Sequence, residues 1–448
     1  MIDVKTKIHD RRSLEFKIGF STSDSSPAGE FLIGMWIFVP ESLDINSSTY
    51  SKDDFYRDLK SNVRLITPSF SLAELAAPDS VPMSNVLGAA PERLEHQIKM
   101  YTAIAKSAVR DAAAEICDGG GDCAQFISGV RALIESYGRM PACEAMDVCR
   151  EFIYTTVIHQ SFKILEQFPD EASLTSLIRE LGRERRQLGY ETVDAKNPSP
   201  TYLYRQSLIK KYVEHHLYLS ARKKKDAVLV EQAYYSVAAG LAMLFATVVA
   251  WAFQRTFGNL TWPLFIALII SYMMKDRIKE LMRFYFAHKI RSRYFDKKAD
   301  ICRNGRKMGS LKEAFDFIAA SRVPAEVMEC RNGSRRYGTS LRVTAEEVML
   351  YRKKVSIDSS VISEGRTYEY NGVNDIIRLH IGSFLRMMDN ELVKVERIDS
   401  SGMISTVDCP REYHINIVLQ CEQNGSVEYR HFRLYLNSAG LQRVEKID

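Results

Sequence analysis

The sequence predicts an α+β fold carrying a two-helix transmembrane hairpin. It divides into an N-terminal α/β part, a helical bundle, long stalk helices around the hairpin and a C-terminal domain with antiparallel strands. Three observations carry that expectation. Two neighbouring runs, 234–253 and 260–274, contain no charged residue. Residues 92–188 repeat apolar side chains at helical spacing. Short alternating runs lie towards both ends, at 14–20 and at 413–435.

With 448 residues the chain is too long for one ordinary domain. Hydrophobic residues make up 46% and charged residues 26%, so any membrane portion is a minor share of the mass. A net charge of +5 is small for this size and argues against a nucleic-acid partner. No pair among the eight cysteines has C-x-x-C spacing. Scattered thiols fit a reducing compartment, with Cys117–Cys123 and Cys143–Cys149 carried by helices. Residues 1–12 are charged and lack the apolar core of a cleaved signal peptide.

Residues 1–76 read as strands around one helix. Residues 14–20 alternate, and 31–39 form a continuous apolar run that stops at Pro40, a buried central strand too short to span a bilayer. Ser51 followed by Asp54 predicts a capped helix to about Leu59, and 62–67 return to strand character. Residues 77–91, with Pro78, Pro82, Gly88 and Pro91, predict a linker. The bundle, 92–200, divides into helices over 92–116, 124–137, 141–168 and 170–188, with Gly119, Gly120 and Gly121 making a turn.

From Tyr202 the apolar spacing of Leu208, Tyr212, His216 and Leu219 runs towards the first span, predicting a stalk helix over 201–233. Ile278, Leu281, Met282, Tyr285, Phe286 and Ile290 predict its counterpart over 275–300. Between them, about 20 uncharged residues match a hydrocarbon core of about 30 Å at 1.5 Å per residue. The second run is shorter and needs Lys275 to reach upward or the bilayer to thin. Trp251, Trp262, Tyr272, Lys275 and Arg277 are the expected membrane-interface residues. Lys and Arg crowd both outer flanks while the connecting turn holds only Arg255. Both termini are therefore expected in the cytoplasm, with anionic headgroups as partners. Small residues such as Ala238, Ala239 and Gly240 predict self-association into a homo-oligomer.

Residues 301–448 predict two capped helices, from Ser310 with Glu313 and from Thr344 with Glu347, followed by strands. Asn424-Gly425 between alternating runs predicts a hairpin. With both termini on one side, the N-terminal strands can join this C-terminal sheet.

No phosphate-binding glycine loop, dinucleotide fingerprint, H-E-x-x-H, EF-hand loop or nucleophile elbow occurs, and no cofactor or metal is expected. Adjacent His215 and His216 diverge on a helix and cannot share an ion. His159 reads as a core histidine. Asp53, Asp54 and Asp58 read as a solvated first turn, with a magnesium site as the sharper alternative. The densest polar constellation is Asn371, Asn374, Asp375, Arg378, His380, Arg386 and Asp389. On a strand Arg378 and His380 share a face. Asp375, Arg378, His380 and Arg386 thus become candidate ligand-binding residues for an anion, against the plainer reading of a wet sheet face. The expectation is a bacterial inner-membrane protein acting as a non-enzymatic binding or signalling scaffold. The alternatives are a membrane-tethered enzyme using Arg378 and His380, or an oligomerising membrane-perturbing effector.

Overall fold

The computed structural model of the protein describes residues 2–21, 28–193, 200–225, 228–258, 261–285, 295–303, 305–333, 346–358, 372–398 and 402–447. The N-terminal part runs β1 (Asp3–Asp10), β2 (Ser13–Ser21), β3 (Ala28–Pro40), α1 (Lys52–Asp58) and β4 (Leu59–Leu65). Helices α2 (Leu72–Ala76), α3 (Val81–Leu87), α4 (Pro91–Cys117), α5 (Cys123–Ser136), α6 (Glu144–Gln167), α7 (Ala172–Gln187) and α8 (Pro200–Glu214) follow. Next come β5 (Ser220–Lys225), α9 (Val228–Phe257), α10 (Trp262–Tyr285), β6 (Lys297–Arg303), β7 (Arg306–Ile318), α11 (Ala325–Asn332) and β8 (Glu346–Asp358). The chain closes with β9 (Gly372–His380), α12 (Gly382–Leu385), β10 (Leu392–Ile398), β11 (Ile404–Pro410), β12 (Tyr413–Gln423), β13 (Ser426–Asn437) and β14 (Gly440–Ile447).

The architecture is α+β with antiparallel sheets. An eight-stranded sheet has the order β14-β13-β12-β3-β8-β7-β6-β5, and a four-stranded sheet the order β1-β2-β9-β4. Each mixes strands from both ends of the chain. The run 31–39 is the centre of the large sheet because β3 is covered on both faces. Phe31, Ile33, Met35 and Ile37 join the main core, while Trp36 and Phe38 pack with Val327 of α11, Val348, Leu350 and Val418. The two sheets face each other through Phe20 stacked on Phe31 (4.1 Å between centroids) and Phe16 edge-on to Phe432 (5.4 Å).

Several local signals hold. Ser51 and Asp54 form a reciprocal capping box on α1. Asn424 and Gly425 take positive φ, 51° and 78°, closing the β12–β13 turn. Helices α4 to α7 match the four bundle expectations within a few residues.

Several expectations are corrected. The presumed linker 77–91 contains α3, capped by Ser80 with Pro82 in its first turn and with Met83 and Val86 buried. The stalk before the first span is not one helix. α8 stops at Glu214, and Ser220–Lys225 is the edge strand β5, paired antiparallel with β6 from Ser220↔Cys302 to Lys225↔Lys297. Lys and Arg suit helices by propensity, but here sheet pairing decides. On the far side α10 reaches Tyr285, Phe286 and Ile290 lie outside the described residues, and Lys297 already belongs to β6. Ser310 and Glu313 start no helix, since both lie on β7, where Leu311, Glu313 and Phe315 alternate into the core. Thr344 lies outside the described residues and Glu347 is on β8. His159, expected inside, is exposed on α6.

The helix pair thus grows from the tip of the β5–β6 hairpin. The described residues buried between the helices are small: Ala238, Ala242, Ala267 and Ser271, with the Ser271 hydroxyl 3.4 Å from the Ala246 carbonyl. Ala239 and Gly240 face outward, as do Val237, Leu241, Leu244, Val248, Phe265, Ile269 and Met273. Among the described residues one helix, Gln232–Thr256, is long and apolar enough to cross a membrane, and 11% of its most apolar window is buried.

Candidate functional site

The polar constellation read from the sequence is divided among four places. Asn371 lies outside the described residues. Asn374 sits opposite Gly19 on the paired strand β2, its Oδ1 close to that glycine. Asp375 points into the core, Arg378 lies on the outer sheet face, His380 and Arg386 line a cleft, and Asp389 pairs with Arg411 at the base of β10–β11.

The cleft, about 560 Å³, forms where β9 ends. Its floor is Asp58, the last residue of α1, which is 7% exposed. Asp58 Oδ2 accepts from the Tyr50 hydroxyl at 3.0 Å and from the Ser383 hydroxyl at 2.6 Å. Burial and the neighbouring Asp58 push the Tyr50 phenol well above its usual range, so it remains a donor. Arg386 donates to Ser383 Oγ at 3.3 Å, and Arg57 Nε lies 3.9 Å from Asp58 Oδ1. Arg12 enters from the β1–β2 turn, where its carbonyl accepts from Ile381 N–H at 2.8 Å. His380 Nδ1 accepts from Gly382 N–H at 3.3 Å, and a Cβ on Gly382 would lie 2.5 Å from the His380 ring. The imidazole thus occupies the space that a side chain at 382 would take. Three guanidiniums and an imidazole therefore converge over one carboxylate whose oxygens are already engaged. Such a set suits an anion, phosphate or carboxylate, held by charge-assisted hydrogen bonds.

Asp58 is thus neither a solvated first-turn residue nor, with Asp53 and Asp54, part of a carboxylate cluster. Among the described residues no group of three or more His, Cys, Asp and Glu side chains is placed to hold a metal. Arg378 shares a face with His380, as the strand period requires, but its guanidinium is held by Glu15 across the strand pair at 2.7 Å. Arg12, Arg57 and Ser383 were missed by sequence reasoning. Their meeting depends on the pairing of β2 with β9 and of β9 with β4, for which no local signal exists.

Asp375 belongs to a second, interior constellation between the sheets. It forms an ion pair with Lys353, both groups being fully buried, and Lys353 Nζ also donates to Ser61 Oγ at 2.5 Å. Beside it, buried Glu313 accepts from Lys223 Nζ and from the Tyr351 hydroxyl, each at 2.8 Å. Burial pushes the Asp375 carboxyl up against the pull of Lys353. For Glu313 the pull of Lys223 and Lys353 overcomes burial and brings the carboxyl down. Pairing each buried carboxylate with a lysine offsets part of the cost of taking these groups out of water.

The expected interface residues lie on the helix pair. Trp251, Trp262 and Tyr272 are exposed, with Arg255 over the Trp251 ring at 5.6 Å and Lys275 over Tyr272 at 4.8 Å. Arg277 reaches to 3.5 Å from Glu280. No protein-family model matches this chain, and no curated protein matches it either.

Proposed function

We propose that the chain is a membrane-anchored, non-enzymatic binding protein whose helix pair crosses the bilayer twice and whose cytoplasmic body binds a small anionic ligand in the Asp58 cleft. The observation that carries this reading is the pairing of β5 with β6 around the helix pair. A single crossing would leave those strands on opposite sides of a membrane, so the pairing favours an even number of passages. The outward apolar surface of both helices supports lipid as their surroundings, since a soluble core helix would be wrapped by its own protein. Lys223, Lys224, Lys225, Lys297 and Lys298 at the root, against Arg255 alone at the turn, favour a cytoplasmic body and contact with anionic headgroups.

The packing sets Ser271 beside Ala246 and Arg283 over Tyr235 (4.9 Å), which brings Lys275 level with Ala242. The apolar band common to both helices is therefore about 20 Å at 1.5 Å per residue. That is short of a hydrocarbon core of about 30 Å, and Lys275 and Arg277 would mark its cytoplasmic boundary. This mismatch is the one observation that favours the second reading, an oligomerising membrane-perturbing effector. The enzyme reading loses support because Arg378 and His380 do not meet in one cleft.

The test is calorimetric titration of the detergent-solubilised protein with inorganic phosphate, alongside carbonate extraction of membranes. Saturable binding weakened about tenfold by Arg386→Ala, with the protein retained in the extracted pellet, is expected. Binding that Arg386→Ala and Arg57→Ala leave unchanged would remove the cleft from the proposal, and release by carbonate would remove the anchor.

A further inference from the structure

Among the described residues strands β10 and β11 pair only with each other, forming a two-stranded ribbon outside both large sheets. Every described residue of β10 is exposed, including Leu392, Val393, Val395 and Ile398, and Met403, Ile404 and Val407 are exposed around β11. An isolated two-stranded ribbon is marginal in water, and its outer edges leave backbone donors and acceptors open to another strand. The two edges differ. β11 ends in Pro410, which has no N–H to offer, whereas β10 contains no proline, so the alternate N–H groups along its outer edge can all donate.

We infer that β10 is a self-pairing edge through which two copies of this chain join by a two-fold axis at Val395, giving a sheet of order β11-β10-β10-β11. The occupant is identified by complementarity written into the strand. Antiparallel pairing about Val395 places Lys394 opposite Glu396 of the second copy, and Glu396 opposite its Lys394. Leu392 then meets Ile398, and Ile398 meets Leu392. Because Val395 already faces Val407 within the ribbon, the same axis builds an unbroken row of four valines across four strands. On the opposite face Asp408, Lys394 and the second copy's Glu396 alternate in sign. A lipid occupant would leave the open β10 edge in hydrocarbon without hydrogen bonds, so the strand edge itself selects another strand. This surface is separate from the helix pair and from the cleft, and the inference stands whether or not either proposal for them holds.

The experiment measures the mass of the full-length, detergent-solubilised chain against concentration, by light scattering with the detergent contribution subtracted. Wild type is expected to be a dimer. Lys394→Glu puts like charges opposite at both symmetry-related pairs, and so does Glu396→Lys. Each alone is expected to weaken dimerisation by about tenfold or more. Mixing the two variants in equal amounts is expected to restore a dimer made of one chain of each. The same-chain exchange Lys394→Glu/Glu396→Lys is expected to dimerise like wild type, which also shows that charge reversal does not unfold the ribbon. A monomeric wild type, a dimer indifferent to both single reversals, or failure of both the mixture and the exchange to recover would overturn the assignment. Association through the helix pair alone would appear as that indifference.

Discussion

Two projections leave the body, the helix pair α9–α10 and the ribbon β10–β11, and both show apolar side chains outward. Side-chain exposure alone would class them together. Their backbones separate them. Each helix satisfies its main-chain groups within itself, so its apolar surface can lie in hydrocarbon. The ribbon cannot, because among the described residues one edge of each strand remains unpaired. Lipid suits the first and a further strand the second. Their roots differ too. The helix pair is held through β5 by Lys223 on fully buried Glu313, whereas the ribbon base rests on the exposed pair Arg411–Asp389.

The largest effect separates the projections outright. Replacing 226–296 with a short Asn-Gly turn joins β5 to β6 where Lys225 already faces Lys297. The shortened chain is expected to move from the membrane pellet to the soluble fraction and to keep its dimer. A monomeric soluble body would instead place self-association in the helices. Next in size, Glu313→Gln leaves Lys223 with a neutral partner and Tyr351 with a weaker acceptor. A loss of about 3 kcal/mol is expected in denaturant unfolding of the shortened body. Asp389→Asn at the ribbon base should cost less than about 1 kcal/mol, because that pair is solvated. Equal losses at the two sites would erase the distinction between the roots.

Acid should act more gradually. Burial, with His96 5.2 Å away, lowers His216 to about 3, and burial with Arg433 and Arg331 nearby lowers His431 to about 4. The unfolded chain therefore binds more protons than the folded one below the ordinary histidine value of about 6.5. The stability these rings contribute is fully present above that value and is lost as pH falls from about 6.5 towards 4. A urea midpoint of the shortened body that is flat across this window would contradict the burial of both rings.

What could be read in advance was what is encoded locally. Asn424-Gly425 sets its own turn, Ser51 and Asp54 cap their own helix, and residues 31–39 betray a doubly covered strand by having no polar face. Residues 220–225 gave no such signal. They are good helix formers, and only β6 and buried Glu313 make them a strand. The cleft divides in the same way. His380 and Arg386 stand close in sequence and could be proposed together, while Arg12, Arg57 and Asp58 arrive through pairings between distant segments. Arg378 misled because alternation gives the face of a strand and not the partner waiting on the next one.

The insertion of the helix pair between β5 and β6 also constrains biosynthesis. β3 emerges from the ribosome long before β8 and β12, the strands that flank it. The apolar run 31–39 must therefore wait unpaired while the bundle and the helix pair are made. Completion of the large sheet is then a late event in synthesis, and the nascent N-terminal strands keep an apolar, unpaired segment exposed until the last hairpin closes over them.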